Sequence, residues 1–421
     1  MFSSYETSKC LDKLSVHYKN VCCINGEIYF LSQKNEELLT TTLWGNIYNW
    51  KPKIKIFNNE YEIINYTKNF KIINNAMLST IMWPHNIGHL LWDNFYPSFV
   101  ALNKFNFINE DFFFLVPSDV NYKEMGINII SVFSENQLLN MNKYNLLIKN
   151  LFVGLKGCGN YIVNENCELY GQKEFNSMTL FKNRMLKNFN CESNKKINKK
   201  IKGIIINNKR FNSIDFNSIN YAIDFFKNSN DLDLKFVNYG DYNNFYEQID
   251  LISDTDLHIS GPGTGMLYMP FLKNGAVNIN LGQTWYHPSG CKVPSFLEQR
   301  ICVAADYITT LYYDRYIYEN IEKEPLIEII NKAVFILKNK ILLNYLNIDA
   351  LVFKQYCSLN EKHKELCKYL TDTYTTWIEF FINECPELIH NLKNIVDIDL
   401  LKNLKNKLKY PNYDINYLKK S

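Results

Sequence analysis

The sequence predicts an α/β protein with a β-rich start, two stretches in which short apolar strands alternate with helices, and a helical end. Three observations carry that expectation. Residues 20–75 alternate apolar and polar positions in short runs punctuated by Asn and Gly, as in CCINGEIYFLS and YEIINYTKNFKII, and so read as strands and turns. Between residues 203 and 282 the segments GIIINN, SINYAIDFFKN, LKFVNY, FYEQIDLIS, DLHISG, GMLYMPFL and AVNINLG switch repeatedly between strand and helix patterns, the mark of βαβ units on a doubly wound parallel sheet. From Glu319 onward the apolar residues fall at helical spacing, first in EPLIEIINKAVFILKNKILL.

The pattern turns helical from about Asn86 to Leu102, and FFFLVP and LLIKNLFVGL beyond it read as buried parallel strands. NFNCESNKKINKKIK, residues 188–202, is polar and Lys- and Asn-rich, as expected of an interdomain linker. The expected organisation is a first domain over 1–190, β-rich and then Rossmann-like, a second Rossmann-like domain over 200–318 and a helical extension over 319–421.

The 421 residues are 47% hydrophobic and 21% charged, ordinary for a folded chain that buries substantial cores. The 46 basic and 43 acidic residues leave a net charge of +3, which argues against nucleic acid as the main partner. No apolar run is long enough for a transmembrane helix and the N-terminus lacks a signal-peptide core, so a cytoplasmic location is expected. The eleven cysteines form no CxxC pair, which fits reduced thiols rather than a disulfide framework.

Leu257–Ile259 is an apolar strand that runs into Ser260-Gly261-Pro262-Gly263-Thr264-Gly265, with a helix-like stretch directly after it. A Gly-rich turn between strand and helix offers bare backbone N–H groups at a helix N-terminus, a seat for phosphate, although an ordinary tight βα turn has the same look. The spacing matches neither GxGxxG nor GxxxxGK[ST]. Lys209 and Arg210 follow the strand GIIINN at the carboxyl end, where α/β sheets bind ligands. Trp285, Tyr286 and His287 follow AVNINLG and could form an aromatic platform for a sugar or base.

His85, His89 and Asp93 are spaced i, i+4, i+8, which on one continuous helix would gather them for metal or acid/base work. Pro84 and Gly88 instead start the helix near Ile87–His89 and take His85 off that face, leaving His89 and Asp93 one turn apart. Three Asp-x-Asp triplets, Asp231/Asp233, Asp254/Asp256 and Asp397/Asp399, could hold a divalent ion but are also ordinary turn chemistry.

Asn86-Ile87-Gly88-His89-Leu90-Leu91-Trp92-Asp93-Asn94-Phe95-Tyr96-Pro97 resembles the N-x-G-H-x-x-x-D-x-x-x-P segment of the family 61 glycosyltransferases. That group includes plant xylosyl- and arabinosyltransferases and O-linked N-acetylglucosaminyltransferases. Glu247-Gln248-Ile249 followed by Asp256 to Met266 resembles the family's EQI…ADVLVGxHGAGL stretch, and Phe271 to Val277 its F-L-x-P-G-A-V. Arg210 stands where the family has an Arg-rich turn, while Pro262 replaces the family's His and Thr264 its Ala.

The resemblance covers about residues 70–285. It implies a GT-B-like architecture, two Rossmann-like domains facing across a cleft, with a nucleotide sugar, UDP-linked by family preference, on the C-terminal domain. It implies inverting transfer to a hydroxyl of a glycan or protein acceptor, and no required metal or other cofactor. Asp93 or His89 would be the base, with the choice open. Arg210, Lys209, Gln248, Gly261, Gly263, Thr264 and Gly265 would bind the donor, and His85, Asn86, Trp285 and Tyr286 would lie on the acceptor side. The alternatives are a catalytically silent relative that binds a nucleotide or glycan, and a metal-dependent enzyme using His85, His89 and Asp93.

Overall fold

The computed structural model describes residues 1–10, 13–42, 49–78, 86–107, 109–116, 138–153, 176–189, 191, 200–286, 292–295, 301, 305, 307–313, 315 and 318–339. The chain divides into two units, Met1–Tyr161 with Asn183–Phe189, and Ile162–Lys182 with Asn190–Ser421.

The first unit begins with β1 (Ser4–Cys10), β2 (Lys13–Ile24) and β3 (Glu27–Ser32). Asn25 and Gly26, both at positive φ, form the two-residue turn that joins β2 to β3 with the twist a hairpin needs. A short antiparallel pair, β4 (Thr41–Thr42) and β5 (Asn49–Trp50), and then β6 (Lys53–Ile56) follow.

YEIINYT is helical rather than extended, forming α1 (Glu60–Thr67). Asn59 caps it, accepting from the Glu62 N–H at 3.0 Å, and the Asn58 N–H donates to the Glu62 carboxylate at 2.9 Å. Those two bonds settle helix over strand in a segment whose alternation alone suggested a strand.

β7 (Lys71–Leu78), β8 (Phe113–Val116), β9 (Leu138–Asn140) and β10 (Leu146–Val153) complete an eight-stranded sheet among the described residues, ordered β6-β3-β2-β10-β7-β8-β9, with β1 on β2. β10, β7, β8 and β9 run parallel, while β2 pairs antiparallel to β10. Period-two alternation sends Val16 and Tyr18 into one core with Val153 and Leu151, and His17 to the opposite face with Phe152.

The predicted helix start is correct. Asn86 caps α2 (Ile87–His89), accepting from the Gly88 N–H at 3.0 Å, and the chain continues through a π-helical turn, Leu90–Phe95, into α3 (Tyr96–Lys104). Pro97 has no N–H to continue an α-helical ladder, and the wide turn falls directly before it, where the backbone bonds must be rearranged.

The residues of α4 (Asn176–Asn188) are divided between the two units. In the second unit, β11 (Ile201–Ile206), α5 (Ser213–Phe226), β12 (Leu232–Val237), α6 (Phe245–Ser253), β13 (Leu257–Ser260) and β14 (Val277–Asn280) reproduce the predicted alternation. The antiparallel pair β15 (Gln283–Tyr286) and β16 (Lys292–Ser295), then β17 (Thr309–Tyr312) and α7 (Lys323–Lys338), follow.

The main sheet is parallel throughout, ordered β12-β11-β13-β14-β17. Ile205, Leu257, Ile259, Val277, Ile279 and Leu311 turn one face toward Ile219, Ala222 and Phe226 of α5 and Leu326, Ile330 and Ala333 of α7. α7, grouped by sequence with the helical extension, is therefore part of this core. The observed class is mixed α/β with parallel sheets.

GMLYMPFL is not an α-helix but a six-residue 3-10 helix, Met266–Phe271, containing Pro270. The missing N–H of Pro270 favours so short a segment, and the positive helix end expected after Gly265 is correspondingly weak.

Candidate functional site

The strand order of the second sheet locates a site. α5 carries the chain from β11 outward to β12, whereas the 3-10 helix carries it from β13 the other way to β14. The two excursions also leave on opposite faces. α5 packs with Ile205 and Ile259, and Met266 lies against Asn278 on the other face, with its Sδ 3.4 Å from Asn278 Nδ2. The carboxyl ends of β11 and β13 therefore flank a crevice at the point where the winding reverses, the place where open α/β sheets bind ligands.

Two turns fill that edge. After β11, Asn208 Oδ1 accepts the Arg210 N–H at 3.0 Å, an Asx turn that swings Arg210 toward β13. After β13, the Pro262 carbonyl accepts from Arg210 Nη1 at 2.5 Å and from Asn208 Nδ2 at 2.8 Å. Gly263 has φ +117, and a Cβ there would lie 2.5 Å from Arg210 Nη1. A Cβ on Gly261 would meet Asn208 Nδ2 at 2.8 Å and Phe211 Cε1 at 2.9 Å, and one on Gly265 would meet Ile206 Cγ2 and Ser260 Oγ, both at 2.9 Å. The three glycines let the turn lie against β11 and its cationic loop. Lys209, Arg210 and Thr264 are exposed, so two cations stand beside a backbone turn open to solvent. That arrangement suits an anion with several oxygens.

The face of the sheet under the 3-10 helix is polar: His258, Ser260, Asn278, Asn280 and Thr310 are all buried. His258 Nδ1 lies 2.8 Å from Asn278 Oδ1, and burial pushes the imidazole down to about 4, so it is neutral near pH 7. A neutral ring supplies no charge to the edge above it. The cationic character of the crevice comes from Lys209 and Arg210.

The sequence-predicted residues divide clearly. Arg210, Lys209, Gly261, Gly263, Thr264 and Gly265 come together. Gln248 does not join them: it is buried in α6, donates to the Tyr239 carbonyl at 2.9 Å and accepts from the Tyr268 hydroxyl at 2.5 Å, which locks α6 to the 3-10 helix. Its helical position, facing inward between Phe245 and Ile252, is what the spacing hid.

In the first unit, Asn86 is consumed as a helix cap and His89 is half-buried at the entrance to the π-turn. The backbone of Asp93 lies within that turn, and its side chain falls outside the described residues, as do all of His85 and His287. Trp285 and Tyr286 sit on β15 opposite Val293 and Lys292, and their side chains too lie outside the described residues.

The aspartate pairs within the described residues are held by lysines. Lys202 pairs with Asp254, its backbone N–H donates to Asp256 at 2.8 Å, and Lys273 Nζ lies 2.7 Å from the other Asp256 oxygen. Asp231 and Asp233 pair with Lys338 and Lys235 at 3.0 and 3.1 Å. Asp397 and Asp399 lie outside the described residues. Asn208 is the site residue that sequence reasoning missed. An Asn two positions before an Arg, directly after a buried strand, is a turn signal that the chain's abundance of Asn obscured.

No known family profile matches the sequence. No curated protein matches it either. Solved structures similar to it include three of flavo di-iron protein from Thermotoga maritima with one histidine replaced, by aspartate, alanine and asparagine. They share 10, 11 and 11% identity, cover 81% of this chain and 100, 99 and 100% of their own, and give TM-scores of 0.22, 0.24 and 0.23. No helix among the described residues is long and apolar enough to cross a membrane.

Proposed function

We propose that the chain is an inverting glycosyltransferase of GT-B-like architecture, similar to family 61, that takes a nucleotide diphosphate sugar on its second unit. The observation that carries this reading is the meeting of Arg210 with the Gly261–Gly265 turn at the winding reversal. Inverting transfer is one in-line displacement: the acceptor hydroxyl attacks the anomeric carbon as the diphosphate departs. The enzyme must then take a proton from the hydroxyl and steady the negative charge on the leaving group.

Arg210 and Lys209 neutralise the departing diphosphate, and the turn backbone orients it. Asn208 holds Arg210 in place through its backbone N–H, so it is a positioning residue. The base comes from His89 or Asp93 in the first unit, where a π-turn of the kind often found at functional sites carries Asp93. UDP is the nucleotide favoured by the resemblance, with a glycan or protein hydroxyl as acceptor and no metal needed.

The test is the thermal shift of the purified full chain with nucleoside diphosphates, with and without EDTA, followed by donor turnover. A stabilisation by one diphosphate that survives EDTA and is lost in Arg210→Ala supports the reading, with about 2.7 kcal/mol expected at a hundredfold excess over Kd. No shift with any nucleotide overturns it. Binding without turnover indicates the silent relative, the reading favoured by Pro262 in place of the family His. Stabilisation that requires a metal revives the metal-dependent reading.

A further inference from the structure

His17 is fully buried in the first unit between two acceptors. Its Nδ1 lies 2.6 Å from Glu6 Oε1 on β1, and its Nε2 lies 2.9 Å from Asn150 Oδ1 on β10. The direction of this chain is set at its far end by main-chain carbonyls, which only accept. Asn75 Nδ2 donates to the Asp111 carbonyl at 3.1 Å, so Asn75 Oδ1 faces Asn150. Asn150 Nδ2 then donates to Asn75 Oδ1 at 2.9 Å and to the Asn74 carbonyl at 3.2 Å, which leaves Asn150 Oδ1 for His17. Flipping either amide sets its oxygen against a carbonyl oxygen. Both ring nitrogens of His17 must therefore carry hydrogen.

We infer that His17 is held as a buried imidazolium and that its proton closes a latch between β1, β2 and β10. A neutral His17 would turn a bare nitrogen either to the Glu6 carboxylate or to Asn150 Oδ1, and both contacts are repulsive at these distances. Burial by itself disfavours the charge, so the surroundings must compensate. Glu6 is held below the usual carboxylate range, first by its bond to His17, and so stays ionised. The ring of Phe152 stacks on the imidazole at 4.5 Å and 18°, and the rings of Phe105 and Phe107, just beyond α3, meet it edge-on at 5.6 and 5.1 Å.

The groups facing the cluster among the described residues are few. β1 contributes Glu6, and β2 contributes Lys19, whose Nζ is 3.4 Å from Glu6 Oε1. β10 and the segment after α3 add only Asn150, Phe152, Phe105 and Phe107. At the far end, the Asp111 carboxylate faces Arg184 at 3.7 Å. Loss of the His17 proton breaks the Glu6 and Asn150 bonds alternately, loosening β1 and the aromatic turn that closes over the ring. The latch is closed while His17 is charged and opens as the ring becomes neutral. It also weakens at the acid end, where Glu6 takes up a proton.

Two measurements on the full chain test this. In a spectrum of protein labelled with 15N-histidine, with His17 assigned through its contact with Phe152, both ring nitrogens should be protonated at about pH 6. A single bare nitrogen there overturns the proposal, whatever the variants do. Hydrogen exchange of Ser4–Cys10, corrected for the intrinsic effect of pH, should then lose protection as pH rises toward the loss of the closed latch's proton, by up to about tenfold per pH unit, and level off beyond it. Glu6→Gln should abolish that dependence while keeping protection. The Gln amide can donate to a bare Nδ1 while Nε2–H still serves Asn150, so a neutral ring is satisfied. Identical pH profiles for wild type and Glu6→Gln also overturn it.

Discussion

Gly263→Ala separates the two roles of the Gly-rich turn. At φ +117 an Ala costs about 1–3 kcal/mol of backbone strain. Its Cβ also falls 2.5 Å from Arg210 Nη1, so the guanidinium must leave the Pro262 carbonyl. Arg210 is exposed and rehydrates when released, so the lost bond adds only about 0.5–1 kcal/mol. Gly275 provides the control: φ is +80, and a Cβ there would meet nothing within 4 Å. Gly275→Ala should show similar strain with Arg210 undisturbed. Urea denaturation should therefore place the two variants within about 1 kcal/mol of each other. Nucleotide binding should distinguish them, because only Gly263→Ala displaces the cation. If UDP stabilises Gly263→Ala as well as wild type, or if Gly275→Ala loses the response equally, Arg210 is not held by this turn for anion binding.

Other outcomes follow from buried polar groups. His258 sits near 4 in the fold against 6.5 in the unfolded chain, so only the unfolded state gains a proton between those values. Its stabilising neutrality is complete above about pH 6.5 and is lost as pH falls toward 4, at most about 3 kcal/mol, which His258→Gln should remove from the acid limb of a stability–pH curve. Asp215 accepts the Ile321 N–H at 2.7 Å and the Asn212 N–H at 3.1 Å, closing the capping box of α5 and tying it to the start of α7. Asp215→Ala leaves both donors and the buried Arg315 without that carboxylate, and a loss of about 3 kcal/mol is expected in chemical denaturation. A loss under about 1 kcal/mol would show that water replaces those bonds.

The second unit was largely legible because buried parallel strands such as the apolar run Ile204–Ile206 are short and separated by helical periods. Strand order was not legible, yet it is what makes the Arg210 loop and the Gly261–Gly265 turn neighbours. α1 was misread because Ile63 and Ile64 fit a strand as well as a helix, and only the Asn59 and Glu62 bonds choose between them. Gln248 entered the candidate site through a motif, while its inward position on α6 makes it a brace. His17 drew no notice because its chemistry depends on Glu6, Asn150 and Asn75, far apart in sequence and brought together by strand register.

His17 and His258 are both fully buried, yet their neighbours demand opposite protonation. His258 faces a neutral amide with no carboxylate bonded to it, so burial wins and the ring gives up its proton. His17 lies between a carboxylate and an amide oxygen whose orientation is fixed by two main-chain carbonyls, so the hydrogen-bond requirement wins. The two units should then respond oppositely to pH: protection of β13 and β14 should fall on the acid side, and protection of β1 on the alkaline side. Hydrogen exchange resolved by peptide reads both limbs in one experiment. Limbs of the same sign in both units would mean that burial alone sets the charge of these rings, and the directional reading of the Asn75–Asn150 chain would fail with it.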